Sequence, residues 1–373
     1  MTVATTVLTT DQEAQREAFV ERLLGAVGGV IDIFTLYLGE KLGFYEALAE
    51  YGALSSAALA RLTGTHERYV REWCEQQTVS GILRVEHLDG PAAERCFRLS
   101  EAYAEVLLDT DSPYYVGAMG RLAAGAVRPL DRLVEAYRTG EGVPYSEYGA
   151  DFRAGQGDIN RPMFLHELGK SWLPSIPDVH ARLQSSPPAR VADIGCGFGW
   201  SSIGIAKTYP NVRVDGYDMD EPSIEAARAN KNDFGINGRV SFHTVDVSEP
   251  DMRAALAGHY DLVTAFECVH DMGDPVGALR TMYEISRPDG TVLIADERVG
   301  DEFTPSGNDV EWMMYGWSVL HCLPVGLADE HSVGTGTVMR RSTLEGYARE
   351  AGFSAVEVLP IENFFFRVYR LHK

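Results

Sequence analysis

The chain has 373 residues, a formal charge of −21 at neutral pH and an apolar content of 45%. That length suits two domains with full cores. So acidic a chain is repelled by phosphate backbones and anionic lipid, which argues against nucleic-acid and membrane partners. The five cysteines, Cys74, Cys96, Cys196, Cys268 and Cys322, are scattered and never spaced C-x-x-C, so neither a disulfide framework nor a zinc knuckle is expected. The opening segment lacks the basic and apolar regions of a signal peptide. Leu23 to Leu38 is interrupted by Asp32 and three glycines, which disqualifies it as a bilayer span. A cytoplasmic protein in a reducing compartment is expected.

Residues 1–10 read as disordered. Residues 11–42 read as helix, because Phe19, Leu23, Val27, Ile31 and Phe34 recur at three- and four-residue steps. Short helices follow at 44–48, 56–62 and 66–80. Two strand candidates, 81–85 and 95–99, flank the turn Asp89-Gly90-Pro91. Three helices and a β-ribbon make a winged-helix pattern, so residues 1–110 are assigned to a mainly helical winged-helix and dimerisation domain. The candidate recognition helix sets Arg68 and Arg71 against Glu67, Glu72 and Glu75, with no cation surplus for phosphate contacts. Tyr69, Val70 and Trp73 are expected to pack inward or against another subunit. The helix 19–42 has more apolar surface than one small domain can cover, which predicts a homodimer.

Residues 111–187 read as a helical linker and cap, ending at Ser185-Ser186-Pro187-Pro188. Residues 188–373 then alternate strands and helices. Strand candidates lie at 190–194, 212–217, 240–244, 260–265 and 290–295, with a closing pair at 355–360 and 364–371. This is the pattern of a doubly wound α/β domain.

The strongest motif is Val191-Ala192-Asp193-Ile194-Gly195-Cys196-Gly197-Phe198-Gly199, between an apolar strand and a helix. Glycines there let the chain turn sharply and let a ligand approach the backbone. A dinucleotide fingerprint would need glycine where Trp200 stands. The spacing is instead G-x-G-x-G, led by Asp193, whose carboxylate suits a cationic ligand better than a pyrophosphate. Asp218 ends the second strand, where a carboxylate can accept ribose hydroxyls. Asp246 follows the third strand, where it can accept from an adenine amino group. Taken singly, the loop could be a structural turn, Asp218 a helix cap and Asp246 a turn residue. Three such elements at the ends of three consecutive strands reinforce one another.

On these residues the segment 188–300 resembles the class I S-adenosylmethionine-dependent methyltransferases, a Rossmann-like α/β fold with a seven-stranded sheet. The whole chain resembles actinobacterial, regulator-like methyltransferases with an N-terminal winged helix, through Leu36-Tyr37-Leu38-Gly39 and Gly64 to Trp73. The layout is also similar to small-molecule O-methyltransferases, in which the first domain dimerises and caps the active site. The resemblance implies S-adenosylmethionine as cofactor, held by Asp193, Gly195, Gly197, Gly199, Asp218, Met219, Asp246, Val247 and Phe266, and a small-molecule acceptor.

In Cys268-Val269-His270-Asp271-Met272, His270 matches the histidine that supplies the base in plant-type O-methyltransferases. Asp296 matches the carboxylate that supports it. An imidazole with a pKa near neutrality can take a hydroxyl proton as the methyl group transfers, while the carboxylate fixes its tautomer. Two alternatives stand beside this: a methyltransferase-like transcription regulator, and an iron-dependent α-keto acid C-methyltransferase holding its metal through His270 and His321. No metal is assigned. In the segment 311–317, Trp312, Met313, Tyr315 and Trp317 cannot share one helix face. Part of this set is expected to line an acceptor cavity and part to pack against the cap.

Overall fold

A capping box opens the first helix: the Thr9 hydroxyl accepts from the Gln12 amide, and the Gln12 side chain accepts from the Thr9 amide. The computed structural model describes residues 8–89 and 91–373, so most of the expected disorder at 1–10, and Gly90 of the expected turn, lie outside the described residues. The chain divides into two units, Met1–Ala124 and Gly125–Lys373. Most of the segment 111–187 therefore belongs to the unit that carries the large sheet.

In the first unit, the helix Thr10–Lys41 touches its own core only near its end. Gly39 lies under the rings of Trp73 and Tyr45, where a Cβ would reach 2.5 Å from Trp73. The Trp73 indole N–H donates to the Thr35 carbonyl at 2.9 Å. The helix Glu67–Val79 buries Val70, Trp73, Cys74 and Gln77, which recur at three- and four-residue steps. Tyr69 lies off that face and is 80% exposed, so of the two expectations, packing inward or against another subunit, it does not meet the first. Both arginines of this helix are paired along it, Arg68 with Glu72 at 2.5 Å and Arg71 with Glu67 at 3.3 Å. The β-ribbon is a small antiparallel sheet of β1 (Leu54–Ser55), β2 (Leu83–Glu86) and β3 (Cys96–Leu99), in the order β1-β3-β2. β1 was not expected.

The second unit is built on seven strands: β4 (Arg190–Ile194), β5 (Arg213–Asp218), β6 (Val240–Thr244), β7 (Tyr260–Phe266), β8 (Ser286–Glu297), β9 (Ala355–Val358) and β10 (Phe366–His372). Their order is β6-β5-β4-β7-β8-β10-β9, parallel through β8, with β10 antiparallel to both its neighbours. Neighbouring residues face opposite sides, and both sides are dry. Val191 and Leu262 pack with Leu183, Ile203 and Ile205 on one side. Ala192 and Val263 pack with Leu279, Met282 and Leu344 on the other. Strand order reverses between β4 and β7, so the loops after these strands diverge and leave a crevice at their C-terminal ends.

The helix Asp309–Trp317 does not match the aromatic lining expected of it. Val310 and Met314 are buried with Val299, Met313 and Trp317 pack against them, and Trp312 is 78% exposed. Tyr315 accepts from Arg340 at 3.1 Å. A helix that lays one face on a small apolar core turns the rest of so apolar a run outward, and here Trp312 and Tyr315 are the exposed residues.

Candidate active site

β4 delivers its chain into a loop of three glycines in the left-handed region, Gly195 (φ 64°), Gly197 (φ 49°) and Gly199 (φ 79°). A side chain at 195 would collide with Cys268, whose Sγ would lie 2.6 Å from the new Cβ. At 197 a Cβ would meet nothing within 4 Å, so the backbone there fronts an open cradle that any other residue would fill. Asp218, at the end of β5, holds this loop: Oδ2 accepts from the Gly197 amide at 2.9 Å and Oδ1 from the Asp220 amide at 2.9 Å. Burial raises its pKa above the ordinary carboxylate value.

Asp193 is only 1% exposed and accepts from the hydroxyls of Ser201 at 2.5 Å, Ser202 at 2.7 Å and Thr264 at 2.8 Å. Its carboxylate braces the loop from beneath, and three hydroxyls occupy the position in which a ligand cation was expected. Asp246 is exposed and accepts from the Ser248 amide and hydroxyl, while Met219 is exposed beside Asp218. Val247 is buried on one side of the sheet and Phe266 on the other, the latter 5.6 Å from the Phe164 ring. The partly buried pair Arg153 and Asp220 (2.7 and 2.9 Å) ties the helix Gly149–Met163 to the loop after β5.

After β7 the chain makes a short turn, Val269–Asp271, that places His270 against the end of β8. The ring is 2% exposed. Its Nδ1 lies 2.9 Å from Asp296 Oδ1 and 3.4 Å from Glu297 Oε2, and its Nε2 lies 3.3 Å from Asp271 Oδ1. Burial opposes a charge on the ring, yet Asp296, Glu297 and Asp271 outweigh it and lift the pKa well above 6.5. Burial works against an ionised Asp296 too, but the imidazolium holds its pKa below the ordinary value. Burial and the neighbouring Asp296 push the Glu297 pKa well above the ordinary carboxylate range.

Glu267 and Glu297 escaped the sequence reading, although each is an acidic residue directly after an apolar strand run. Glu267 has φ 55°, a conformation that bulky residues adopt only where the surroundings enforce it. Its amide donates to the Ala295 carbonyl at 2.8 Å, and Asn160 donates to its Oε2. Burial lifts its pKa to about 7.

His321 is buried, stacked on Phe152 with ring centroids 4.1 Å apart, and edge-on to Tyr148 at 4.5 Å. Its Nδ1 faces Cys322 Sγ at 3.4 Å, and burial lowers its pKa to about 4, so it is neutral. Among the described residues, two groups combine metal-ligand side chains, His270-Asp271-Cys322 and His270-Asp296-Glu297. His321 belongs to neither group.

A doubly wound sheet with a glycine loop at its switch point and a carboxylate closing the next strand defines a nucleoside-binding α/β fold. A methyltransferase-domain family model matches residues 185–323, and an Rv2258c-like winged helix-turn-helix model matches residues 31–108. The ubiquinone biosynthesis O-methyltransferase of Aromatoleum aromaticum is 30% identical over 208 residues, 56% of this chain and 80% of that protein. Its counterpart in Nitrosospira multiformis is 29% identical over 209 residues, 56% of this chain and 79% of that protein. Among solved structures, human N-acetylserotonin methyltransferase in complex with S-adenosylmethionine aligns with a TM-score of 0.68 at 18% identity, covering 95% of this chain and 97% of that one. Mitomycin 7-O-methyltransferase aligns with a TM-score of 0.67 at 20% identity, covering 97% and 99%. The chain belongs to the S-adenosylmethionine-dependent methyltransferases, and S-adenosylmethionine is its cofactor. The open cradle at Gly197 and the carboxylate of Asp218 beside it fit that group.

Proposed function

We propose that the protein methylates a hydroxyl oxygen of a small, flat acceptor, with His270 as general base and Asp296 as the residue that orients it. The observation that carries this reading is the 2.9 Å contact between His270 Nδ1 and Asp296 Oδ1 at the ends of β7 and β8. With Nδ1 committed to the carboxylate, Nε2 is the atom that takes the proton. The names of the two curated relatives, both O-methyltransferases, support oxygen as the accepting atom.

When bound, S-adenosylmethionine supplies an electrophilic methyl group on a sulfonium centre. We assign its binding to the loop of Gly195, Gly197 and Gly199 above the braced Asp193, to Asp218 for the ribose hydroxyls, and to Met219, Asp246, Val247 and Phe266 around the adenine. Asp296 stabilises the imidazolium that forms as His270 removes the hydroxyl proton. Because the surrounding carboxylates make His270 a stronger base than free imidazole, the ring must first lose its resting proton, and turnover rises with pH.

The unit containing residues 1–110 is assigned to dimerisation, with residues 111–187 as linker and cap. Phe19, Leu23, Leu24, Val27 and Ile31 all stand exposed on the helix Thr10–Lys41, and a second copy of this chain would cover them. Among the described residues, no helix is long and apolar enough to cross a membrane.

The test is methyl transfer from radiolabelled S-adenosylmethionine to a panel of hydroxylated aromatics. His270→Ala is expected to lower turnover by about 10²–10⁴ and to leave S-adenosylhomocysteine affinity nearly unchanged. Full turnover in that variant would refute the assignment of the base.

A further inference from the structure

The helix Gly149–Met163 meets three loops at the C-terminal edge of the sheet, and it meets them in sheet order. Arg153 donates to both oxygens of Asp220, in the loop after β5. Gly157 faces the Phe198 ring of the glycine loop after β4, where a Cβ would lie 2.5 Å from that ring. Asn160 donates to Glu267 Oε2, directly after β7. Arg161 lays its guanidinium over the Trp200 ring, 4.5 Å from the centroid, where the helix after the glycine loop begins. A helix advances about 1.5 Å per residue and strands stand about 4.8 Å apart. The steps from Arg153 to Gly157 and from Gly157 to Asn160 therefore each carry the contacts across by roughly one strand spacing. The helix is a crossbar over the mouth of the crevice. Each of its contacts lies beside a residue assigned to the cofactor: Asp220 near Asp218, Phe198 between Gly197 and Gly199, and Glu267 after Phe266.

Glu267 is where this crossbar touches strained backbone. Its φ of 55° lies in the left-handed region, which is unfavourable for an L-residue unless its neighbours enforce it. Among the described residues, His87 and His331 are the other non-glycine residues with positive φ, and both are exposed. Glu267 instead stands at a strand end beside the site, where such strain is kept for a reason. Its amide still pairs with the Ala295 carbonyl of β8 at 2.8 Å. The chain then bends at once. Cys268 Sγ donates to the Ile194 carbonyl at 3.3 Å, and the Asp271 amide donates to the Cys268 carbonyl at 3.1 Å, which closes the turn that carries His270. Asn160 grips the side chain of the residue at which this bend starts.

Resting on the assignment of His270 as base, we propose that Asn160 is a positioning residue for methyl transfer. Through Glu267 it holds the left-handed backbone from which the Val269–Asp271 turn departs, and so keeps His270 in register with Asp296. Because the same helix also holds Asp220 and Phe198, the base turn and the cofactor loops share one rigid support, and the reacting groups keep one geometry.

The test turns on the difference between alanine and glycine at position 267. Glu267→Ala and Glu267→Gly remove the same carboxylate, but only glycine takes a positive φ freely. The full chain, saturated with S-adenosylhomocysteine, is followed by hydrogen exchange at the amides of Asp271 and Met272. Asn160→Ala and Glu267→Ala should each speed that exchange roughly tenfold, the population cost of an unsupported left-handed residue. Glu267→Gly should stay within about threefold of the native rate, and Asn160→Ala should add nothing in the Glu267→Gly background. Label transferred from saturating S-adenosylmethionine to the panel of hydroxylated aromatics should fall and recover in the same pattern, while S-adenosylhomocysteine affinity stays unchanged. A general loosening of the fold would not give that split. Melting curves check that the variants fold. Equal behaviour of Glu267→Ala and Glu267→Gly overturns the proposal, as does an Asn160→Ala that exchanges and turns over like the native protein. So does an Asn160→Ala that weakens S-adenosylhomocysteine as much as it slows transfer, because the crossbar then serves the cofactor alone. Native turnover in His270→Ala would instead strike the base assignment on which the proposal rests, and the exchange pattern separately decides whether Asn160 holds the turn.

Discussion

Asp296→Asn keeps the shape beside His270 and removes the charge. The native contact is 2.9 Å between side chains 1% and 2% exposed, so water screens it little. A charge-assisted hydrogen bond contributes about 1.5–3 kcal/mol and a neutral one about 0.5–1.5 kcal/mol. The difference of about 1–1.5 kcal/mol lowers the ring's proton affinity roughly tenfold. Glu297 and Asp271 remain, so the ring does not return to the behaviour of free imidazole. Single-turnover methyl transfer followed against pH should rise, in the native protein, through an inflection above 6.5, because the imidazolium cannot accept a proton. In the variant that inflection moves to lower pH. The plateau falls by about 10²–10⁴, since the amide can donate to Nδ1 and favour the wrong tautomer.

Stability follows the same linkage. The raised pKa of His270 contributes stability that is complete below 6.5 and is lost as pH rises through the folded value. The lowered pKa of Asp296 contributes stability above 3.8 that is lost as pH falls through the folded value. The variant is therefore most destabilised between these limits, and melting curves at about pH 5.5 should show a larger gap from the native protein than curves above the His270 inflection. An inflection at the same pH in both proteins would refute the claim that Asp296 holds the His270 proton.

Three further perturbations separate loop, cap and assembly. Gly197→Val forces a β-branched residue to φ 49° at a cost of about 1–2 kcal/mol and fills the open cradle, so calorimetry should detect no S-adenosylhomocysteine binding while the fold survives. Arg153→Met strands Asp220 without its partly buried partner (side chains 12% and 15% exposed), which should cost about 1.5–3 kcal/mol in urea unfolding; a change within error would mean that water solvates the pair. Leu23→Ser with Val27→Ser should halve the mass seen by light scattering without loss of helicity, and a native protein that is already monomeric at micromolar concentration defeats the dimer.

Strand-end punctuation made much of the fold legible. β4 and β6 fall where the apolar runs place them, because each run is bounded by turn residues on both sides. β8 begins four residues early, at Ser286, which pairs with Tyr260; Arg287, Pro288 and Asp289 read as a turn and lie in a register irregularity before pairing with β7 resumes at Thr291. β1 spans two residues and has no period to detect. The candidate site divides in the same way. Gly197, Asp218, His270 and Asp296 stand at the ends of strands, and a strand order could be inferred that brings them together. Asn160 reaches Glu267 across 107 residues of chain, and no local pattern records that meeting. Tyr69 and Trp312 failed for a related reason: an aromatic residue announces burial in general, while the neighbour at the next helical position decides which side faces the core.

Charge connects the site to the reaction proposed for it. In the proposed reaction the methyl group would pass from the sulfonium sulfur of bound S-adenosylmethionine, its S–CH₃ bond breaking, to the acceptor oxygen while His270 takes the hydroxyl proton, so the charge lost at sulfur would be matched by one gained on the ring. The positive charge of the site is thus conserved and merely relocated, from sulfur to an imidazole that Asp296 and Asp271 already face. Fixed carboxylates stabilise the charge at its destination without reorganising, which is the kind of electrostatic term that lowers barriers most. The same groups set a penalty at the end of the cycle. A ring whose pKa stands well above 6.5 keeps the proton it has taken, so His270 must release it to solvent before the next acceptor can be activated. At low pH that release limits every turnover, the first included.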